Sequence, residues 1–198
     1  MLVDSAAVVE GVWIDWARRR GIDPAGLFPG VHGRRTIETV RELAPSLDAG
    51  AEAAELEAAE EERVGETLPR PGALELLETL HADRWAVVTS GHRTLAEGRL
   101  RGAGLPLPAR LVSADDVSRG KPDPEPYRRG ALLLGLDPGQ CLAVEDSPAG
   151  VSAARAAGMP VFAVLSTNTA SDLDHADRIL GSLADLLPLA QRLTASAL

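Results

Sequence analysis

The chain is poor in the residues that build disulfide frameworks, aromatic cores and cationic surfaces. Its 198 residues include one cysteine and one tyrosine, and aromatic residues make up 3% of the total. A single cysteine, Cys141, excludes an internal disulfide and favours a reducing compartment, which we predict to be the cytoplasm. Acidic residues outnumber basic ones, 29 against 20, for a formal net charge of −9. This shortage of positive charge argues against nucleic acid or an anionic membrane as the main partner.

Long apolar runs and a basic leader are also missing. No run approaches the roughly 18 residues that a membrane span needs. Residues 1–11 contain Asp4 and Glu10 but no Lys or Arg, which argues against a signal peptide. Hydrophobic residues still make up 45% of the chain, enough to bury one core and a small accessory domain. We therefore expect a soluble, monomeric protein.

The first third of the chain predicts helices. Val8, Val12 and Trp16 recur at helical spacing, and Gly21 is placed to end their helix. Helices are predicted over residues 5–20, 36–44 and 48–65, with turns over the Pro- and Gly-rich segment 24–35. The third helix is rich in Ala and Glu, and we expect its glutamates to form a solvated outer face.

After residues 66–71, helices and short apolar runs alternate. Helices are predicted over 72–81, 93–103, 124–134 and 148–157, and strands over 85–89, 110–112, 141–144 and 161–164. Runs of Val, Leu and Ala separated by helices are typical of a parallel sheet covered on both faces. The sequence therefore predicts an α/β fold with a helical cap over 10–68 and a Rossmann-like core over 69–198. The segment 66–71 would be the hinge between them.

Three predicted strands end in groups suited to phosphate and metal chemistry. The polar groups that follow these strands are Ser90, Lys121 and the adjacent pair Glu145 and Asp146. Ligands of open parallel α/β sheets bind in the crevice beyond the carboxyl ends of the strands. We therefore expect a hydroxyl, an ammonium and two carboxylates to meet at one edge of the sheet.

Ser90 and Lys121 each have a simpler interpretation as well. Ser90, with the backbone amides after it, can bind an anion where the next helix begins, or can merely be that helix's N-cap. Asp123 and Pro124 indicate an N-cap and a first helical residue, so the helix after Lys121 has a fixed start. A lysine held there can offset phosphoryl charge. It would otherwise be an ordinary surface charge.

The acidic pair also has two interpretations. Carboxylates near a helix N-terminus are favoured by the helix dipole, which explains one of them better than two. Adjacent carboxylates repel each other and need a cation. Mg²⁺, which takes oxygen ligands and substrate phosphate, is the natural one.

The order and spacing of these groups resemble a known family. Ser90, Lys121 and Glu145-Asp146 resemble the second, third and fourth motifs of the haloacid dehalogenase superfamily. The position of the helical cap matches too, and Val3-Asp4-Ser5 resembles the end of the family's first motif. Two further segments, His32-Gly33-Arg34-Arg35-Thr36 and residues 114–127 around Gly120-Lys121-Pro122, resemble the 2-deoxyglucose-6-phosphate and glycerol-phosphate phosphatases.

This resemblance implies a Mg²⁺-dependent phosphatase that acts on a small sugar or polyol phosphate through an aspartyl-phosphate intermediate. Ser90 would bind the phosphoryl oxygens, Lys121 would offset their charge, and Asp146 with Glu145 would hold Mg²⁺. The residues expected to contact substrate are His32, Gly33, Arg34, Arg35, Thr36, Gly91 and His92. The basic residues of segment 32–36 can also be an ordinary loop.

Other activities stay open at this point. A phosphosugar mutase shares these motifs but retains the phosphoryl group. A non-catalytic phosphometabolite-binding protein would use the same contacts without turnover. A dehalogenase is less consistent with the sequence, because its chemistry does not require an acidic metal-binding pair.

The chain departs from the family's pattern at its start. The family's nucleophile and acid/base are the two aspartates of Asp-x-Asp-Gly, and Met1 stands where a residue after that motif is expected. Asp4 lies downstream of both, so no aspartyl-phosphate route is available to the printed chain. Residues 1–9 therefore resemble a remnant of the first motif and a linker.

In the family, the first strand, which is missing here, is central and lies between the strands predicted here at 85–89 and 141–144. Without that strand, backbone N–H and C=O groups of its two neighbours would lose their hydrogen-bond partners. Each such group would cost about 1–3 kcal/mol if no water reaches it. We therefore expect the native protein to begin upstream, and the printed chain to be inactive or nearly so.

Overall fold

A computed structural model describes residues 1–26 and 31–195. The helices are α1 (Ala6–Arg20), α2 (Thr36–Leu43), α3 (Ala49–Glu61), α4 (Ala73–Thr79), α5 (Arg93–Gly102), α6 (Glu125–Leu134), α7 (Pro148–Ala157) and α8 (Leu187–Ala195). The strands are β1 (Val3–Asp4), β2 (Leu68–Pro69), β3 (Val87–Val88), β4 (Leu111–Val112), β5 (Ala143–Glu145), β6 (Val161–Val164) and β7 (Arg178–Leu180). Part of the predicted turn segment, residues 27–30, lies outside the described residues, as do 196–198 at the end of the predicted core. In the described ranges, no helix has the length and apolarity to cross a membrane.

Helices α1, α2 and α3 pack around their own apolar core. Trp13 and Trp16 meet edge to face with ring centroids 5.6 Å apart, a favourable arrangement of two aromatic rings. Val40 of α2 and Leu56 of α3 complete the contact, and both are buried. Gly21, with φ of +69°, ends α1 in the left-handed conformation, as its position predicts.

The glutamates of the third helix form a solvated outer face only in part. The side chains of Glu55 and Glu61 are 40% and 37% exposed, but the prediction is wrong for Glu52 and Glu60. Glu52 accepts a hydrogen bond from Trp16 Nε1 at 2.7 Å. Glu60 is only 5% exposed and pairs with Arg99 of α5. The physical reason is that α3 contacts both α1 and α5, so the glutamates on these sides find partners within the protein.

The strands form three separate groups. β3 and β4 pair in parallel, and β5, β6 and β7 form a second parallel group in that order. β1 and β2 make a short antiparallel pair where the chain passes between helices α1 to α3, called the helical segment below, and the core that contains the parallel strands β3 to β7. The parallel strands and the helices between them give the predicted α/β architecture.

A slot separates β3 from β5. Val87 N donates to Arg110 O at 3.0 Å and Thr89 N donates to Val112 O at 2.9 Å. Because peptide groups alternate along a strand, the amide of Val88 points away from β4 and towards the slot. Ala143 N donates to Pro160 O at 2.9 Å, so the amide of Val144 likewise points away from β6.

This slot is part of a larger cavity. The cavity measures about 670 Å³ and is lined by β3, β5 and the helices beside them. It extends towards the helical segment, where Trp13 and His32 also line it. The space where the sequence predicts a missing central strand is therefore a cavity bordered by two strand edges.

Several element boundaries differ from those predicted. Strand 85–89 shortens to Val87–Val88, because this strand has a ladder partner on one side only. The third helix ends at Glu61, and Val64–Glu66 forms a separate 3₁₀ turn. Helix α6 begins at Glu125 with Pro124 as its N-cap, one residue later than predicted. Asp123 still accepts a hydrogen bond from Glu125 N at 2.9 Å, so it supports the start of the helix.

Candidate active site

The groups predicted at the strand ends lie together at the carboxyl ends of β3 and β5. Ser90 follows β3, Lys121 lies between β4 and α6, and Glu145 ends β5. Lys121 Nζ donates to Val88 O at 3.2 Å and forms a short ion pair with Glu145 Oε1. The two side chains are 6% and 5% exposed. One buried cation thus joins β3 to β5 at the edge of the cavity.

Glu145 is the centre of a buried hydrogen-bond network. Its Oε1 also accepts from Tyr127 Oη at 2.6 Å, and its Oε2 accepts from Asp146 N at 3.0 Å and Ser147 Oγ at 3.1 Å. Burial, with the nearby Glu145 carboxylate, raises the pKa of Tyr127 well above its usual value, so its phenol stays protonated and donates. Both Glu145 oxygens are therefore occupied by protein donors.

The backbone around Glu145 is shaped to admit this carboxylate. A Cβ at Gly150 would lie 2.0 Å from Glu145 Cδ, a distance that no side-chain carbon tolerates. Ser147 begins α7 as its N-cap and accepts from Gly150 N at 3.1 Å. Helix α7 therefore starts where the carboxylate needs both a close backbone approach and hydrogen-bond donors.

Asp146 has a different environment from Glu145. Its Oδ2 lies 3.0 Å from the Met1 ammonium and accepts from Ser166 Oγ at 2.9 Å. Burial opposes ionisation of Asp146, but the Met1 ammonium and the Ser166 hydroxyl outweigh it and lower the pKa of this carboxyl. Asn168 Nδ2 donates to the Asp146 carbonyl oxygen at 2.8 Å and fixes the backbone. Asp146 is thus an ionised carboxylate that holds a positive group in the cavity.

The residues at the strand ends provide only part of a binding site for a divalent cation. Asp146 lines the cavity, is 22% exposed and already holds an ammonium group. Across residues 1–26 and 31–195, no three His, Cys, Asp or Glu side chains are grouped so as to hold a metal ion. The other oxygen ligands of Mg²⁺ would therefore have to come from substrate, water or a further carboxylate.

The predicted substrate segment 32–36 lies directly on Ser90. Ser90 Oγ donates to Gly33 O at 2.8 Å. Gly33 has φ of +84°, and a Cβ there would lie 2.2 Å from Ser147 Oγ, so both conformation and space require glycine. The hydroxyl predicted to bind phosphate is therefore bonded to the cap segment in this structure.

The other residues of the segment divide between cavity and core. His32, Arg34 and Thr36 line the cavity, whereas Arg35 does not. Burial lowers the pKa of His32, which favours a neutral ring. Arg35 Nη1 instead donates to Ser118 O at 3.1 Å in the core loop. Segment 32–36 therefore both borders the cavity and fastens the helical segment to the core.

Gly91 lines the cavity, but His92 does not. His92, not Ser90, is the N-cap of α5, and its Nδ1 accepts from Leu95 N at 3.4 Å. Its Nε2 lies 3.5 Å from Glu61 Oε1 of α3. The interpretation of Ser90 as a helix cap is therefore wrong, and His92 lies at the contact between α5 and α3.

Several residues that support the site were missed from the sequence. Tyr127 and Ser147 complete the Glu145 network, and Ser166 with Asn168 holds Asp146. Ser166 and Asn168 follow strand β6, so the strand-end rule that found Ser90 would also have found them. Tyr127 carries another signal, because it is the only tyrosine of the chain.

A family model described as haloacid dehalogenase-like hydrolase matches residues 2–158 of the chain. The match covers most of the chain, including all four of the strand-end groups described above. The chain therefore belongs to the haloacid dehalogenase-like hydrolase family, which confirms the family that its motifs predict.

Named relatives and solved structures agree with this assignment. The chain is 40% identical over 190 residues to hexitol phosphatase A of Escherichia coli strain K12, covering 93% of this chain and 88% of that protein. It is 32% identical over 178 residues to glycerol-1-phosphate phosphohydrolase 2 of Saccharomyces cerevisiae, with coverages of 84% and 71%. A hydrolase from Pseudomonas syringae superposes with a TM-score of 0.87 at 26% identity, covering 98% of this chain and 94% of that one. These findings confirm the predicted α/β fold and the class of enzyme.

Proposed function

We propose that this protein hydrolyses the phosphate monoesters of small sugars or polyols. The observation that carries the proposal is the buried Lys121 cation, placed with Ser90 and Asp146 at one end of a cavity bordered by the helical segment. A fixed cation and a hydroxyl suit a phosphoryl group. Similarity to proteins named for hexitol phosphate and glycerol 1-phosphate supports the class of substrate.

Each side chain has a role that follows from its contacts. Lys121, held by Glu145 and Val88 O, offsets phosphoryl charge without moving. Ser90 donates to a phosphoryl oxygen once its hydroxyl leaves Gly33 O. Asp146 would hold Mg²⁺, which neutralises phosphate charge when bound. Glu145, predicted as a second metal ligand, instead holds Lys121, because both of its oxygens already accept hydrogen bonds from protein donors.

We assign residues 10–68 to a helical cap and residues 69–198 to the core, with a hinge at residues 66–71. His32, Arg34 and Thr36 would contact the sugar or polyol, since they line the cavity. Arg34 is held at the border of the cavity by its ion pair with Glu42.

The nucleophile is the part that the printed chain does not supply. Among the described residues that line the cavity, the carboxylates are Glu60, Glu145 and Asp146. Glu60 is paired with Arg99, Glu145 is enclosed by donors, and Asp146 is the carboxylate assigned above to Mg²⁺. None is free to attack phosphorus.

We infer that a further strand of the protein occupies the slot between β3 and β5. The inward-pointing amides of Val88 and Val144 and the 670 Å³ cavity support this inference. A strand running parallel to its neighbours would end beside Ser90 and Asp146. A carboxylate there is placed to act as the nucleophile that the family resemblance implies.

Phosphate release tests the proposal. Sorbitol-6-phosphate and glycerol 1-phosphate would be incubated with Mg²⁺ and one of two proteins. The first is the printed chain, and the second is the same chain with the residues that the codons immediately upstream encode. We expect release with the extended chain only, lowered by a factor of about 100 or more by Lys121→Met. No release by an extended chain that binds these esters would instead indicate a non-catalytic binding protein.

Product analysis with glucose 1-phosphate separates hydrolysis from phosphosugar mutase activity. Free phosphate is the product expected here, whereas a mutase would yield glucose 6-phosphate. β-Phosphoglucomutase from Clostridium difficile shares the fold of this chain, with a TM-score of 0.84 at 18% identity, covering 100% of this chain and 94% of that one, and this likeness does not distinguish the two activities.

A further inference from the structure

A buried ion pair borders the cavity and has no part in the roles given above. Glu60 of α3 accepts a hydrogen bond from Arg99 of α5, with Oε2 and Nη2 separated by 2.7 Å. The two side chains are 7% and 18% exposed. Both line the cavity together with Trp13 of α1. The pair therefore lies where the helical segment meets the core.

Stability alone does not account for this pair. Burying two ions costs hydration free energy that is about as large as the attraction between them. A pair of apolar residues of similar size therefore often stabilises a protein as much as a buried ion pair does. The same wall of the cavity contains such residues, since Val9, Val31 and Leu95 also line it. An ion pair that lines the same cavity as these apolar residues therefore indicates a polar ligand.

Attachment of the helical segment to the core does not require the pair either. His92 Nε2 lies 3.5 Å from Glu61 Oε1 at the same helix contact. At another place, Gly120 N donates to Glu38 Oε1 at 3.0 Å. These contacts join the two parts of the protein without lining the cavity.

The remaining hydrogen-bonding capacity of the pair matches hydroxyl groups. Arginine has more N–H donors than this contact uses, and the Glu60 carboxylate, which also accepts a hydrogen bond from Trp13, has lone pairs left beyond these two contacts. A hydroxyl both donates and accepts, so it can bond to Glu60 and to Arg99 at once. The pair has no net charge and so does not compete with Lys121 for the phosphoryl group.

We propose that Glu60 and Arg99, beside Trp13, bind the hydroxyl groups of the sugar or polyol and so determine the specificity of the enzyme. This inference rests on the proposed function, because it assigns the part of the substrate away from the phosphate. Lys121 and Ser90 would select phosphate esters, and this pair would select those with hydroxylated chains.

Calorimetric titration with two ligands of equal chain length tests the proposal on the full chain without requiring turnover. Sorbitol-6-phosphate has hydroxyl groups along its carbon chain, and n-hexyl phosphate has none. We expect Glu60→Gln to weaken binding of sorbitol-6-phosphate by about tenfold or more and to leave n-hexyl phosphate unchanged. Glu55→Gln is the matched control, because Glu55 lies on the same helix and pairs with Arg19 and Arg20 outside the cavity.

The outcomes separate this inference from the function on which it rests. If Glu60→Gln weakens the binding of both ligands equally, or of neither, the pair does not bind the hydroxyl groups and the inference is overturned. If the parent chain binds neither ester, the proposed function itself fails. Melting temperatures check that each variant is folded. The double variant Glu60→Leu with Arg99→Leu, which leaves no unpaired charge, replaces Glu60→Gln if the single variant does not fold.

Discussion

Among the individual residues, Lys121 has the most closely defined surroundings. Its ammonium contacts a backbone carbonyl of one strand and the carboxylate that ends another. It also lies 5.1 Å from the centroid of the Tyr127 ring, within the range of a cation–π contact. A single cation therefore supports the site in two ways, since it stabilises the fold and faces the proposed phosphate.

We expect Lys121→Met to lower the free energy of unfolding by about 3 kcal/mol, because Glu145 would then be a buried charge without its cation. Urea-induced unfolding of the purified variant measures this change. The methionine keeps most of the side-chain volume, so the loss reports the charge rather than a cavity.

Arg155→Met is the matched control for this prediction. Arg155 pairs with Asp177 at 3.1 Å, but the two side chains are 49% and 46% exposed. Exposed pairs contribute at most about 1 kcal/mol, because water and salt screen them. Equal losses in the two variants would show that the Lys121 pair behaves like a surface pair.

At the scale of elements, α5 is where the helical segment meets the core. Its two glycines let the 3₁₀ turn Val64–Glu66 come close to the helix. A Cβ at Gly98 would lie 3.3 Å from Val64 Cγ1, and one at Gly102 would lie 2.3 Å from Val64 O. The second distance involves backbone, which cannot rotate away.

We expect Gly102→Ala to destabilise the protein by about 1–3 kcal/mol, because the turn must move to admit the methyl group. This loss should appear although alanine favours helices over glycine by about 1 kcal/mol. Thermal and urea unfolding measure it. Gly65→Ala, in the facing turn, meets open space and should change stability by no more than about 0.5 kcal/mol. A Gly102→Ala variant as stable as the parent would contradict the packing described here.

The elements also show what could be predicted from the sequence. The alternation of helices and apolar runs is a local pattern, so helices α1 to α7 and the main parallel strands were predicted close to their positions. Helix α8 (Leu187–Ala195) was not predicted. The strand-end rule grouped Ser90, Lys121 and Glu145 correctly, because parallel strands finish at one edge of a sheet.

What was missed depends on contacts between distant segments. β1 and β2 have two residues each, too few for a sequence pattern, and β7 is a short, mostly exposed edge strand. The glutamates of α3 looked solvated because nothing near them in sequence indicates that Arg99 packs against Glu60. The different surroundings of Glu145 and Asp146 likewise come from Tyr127 and Ser166, which lie far along the chain.

At the scale of the whole molecule, the many acidic groups make stability depend on pH. The carboxylates whose pKa is lowered in the fold are Glu52, Glu66, Asp116, Glu125, Asp146, Asp172 and Asp177. Their causes include hydrogen bonds from arginines, hydroxyls and backbone amides. A lowered pKa stabilises the fold above the group's unfolded value, and this stabilisation is lost as pH falls through the folded value.

Glu60 has the opposite effect, because burial raises its pKa. Its contribution to stability is present at low pH and is lost as pH rises. Since carboxylates with lowered pKa are the majority, we expect the melting temperature to fall between about pH 6 and about pH 3. Differential scanning calorimetry across this range measures it.

High salt is the control for this dependence. Most of the groups concerned are at the surface, so 1 M salt, at which the screening length is about 3 Å, should reduce the fall. A melting temperature that stays constant or rises on acidification would mean that Glu60 and groups like it dominate.

The hydrogen bond between Ser90 and Gly33 O affects the affinity of the protein for a ligand that binds Ser90. In the free protein the Ser90 hydroxyl already donates to Gly33 O, so an anion that binds Ser90 must first displace this carbonyl oxygen. The measured affinity is then the intrinsic affinity reduced by the fraction of molecules in which that hydrogen bond is broken. If Ser90 binds an anion as proposed, binding of the anion and release of segment 32–36 are coupled, so the affinity depends on the position of the helices that carry this segment.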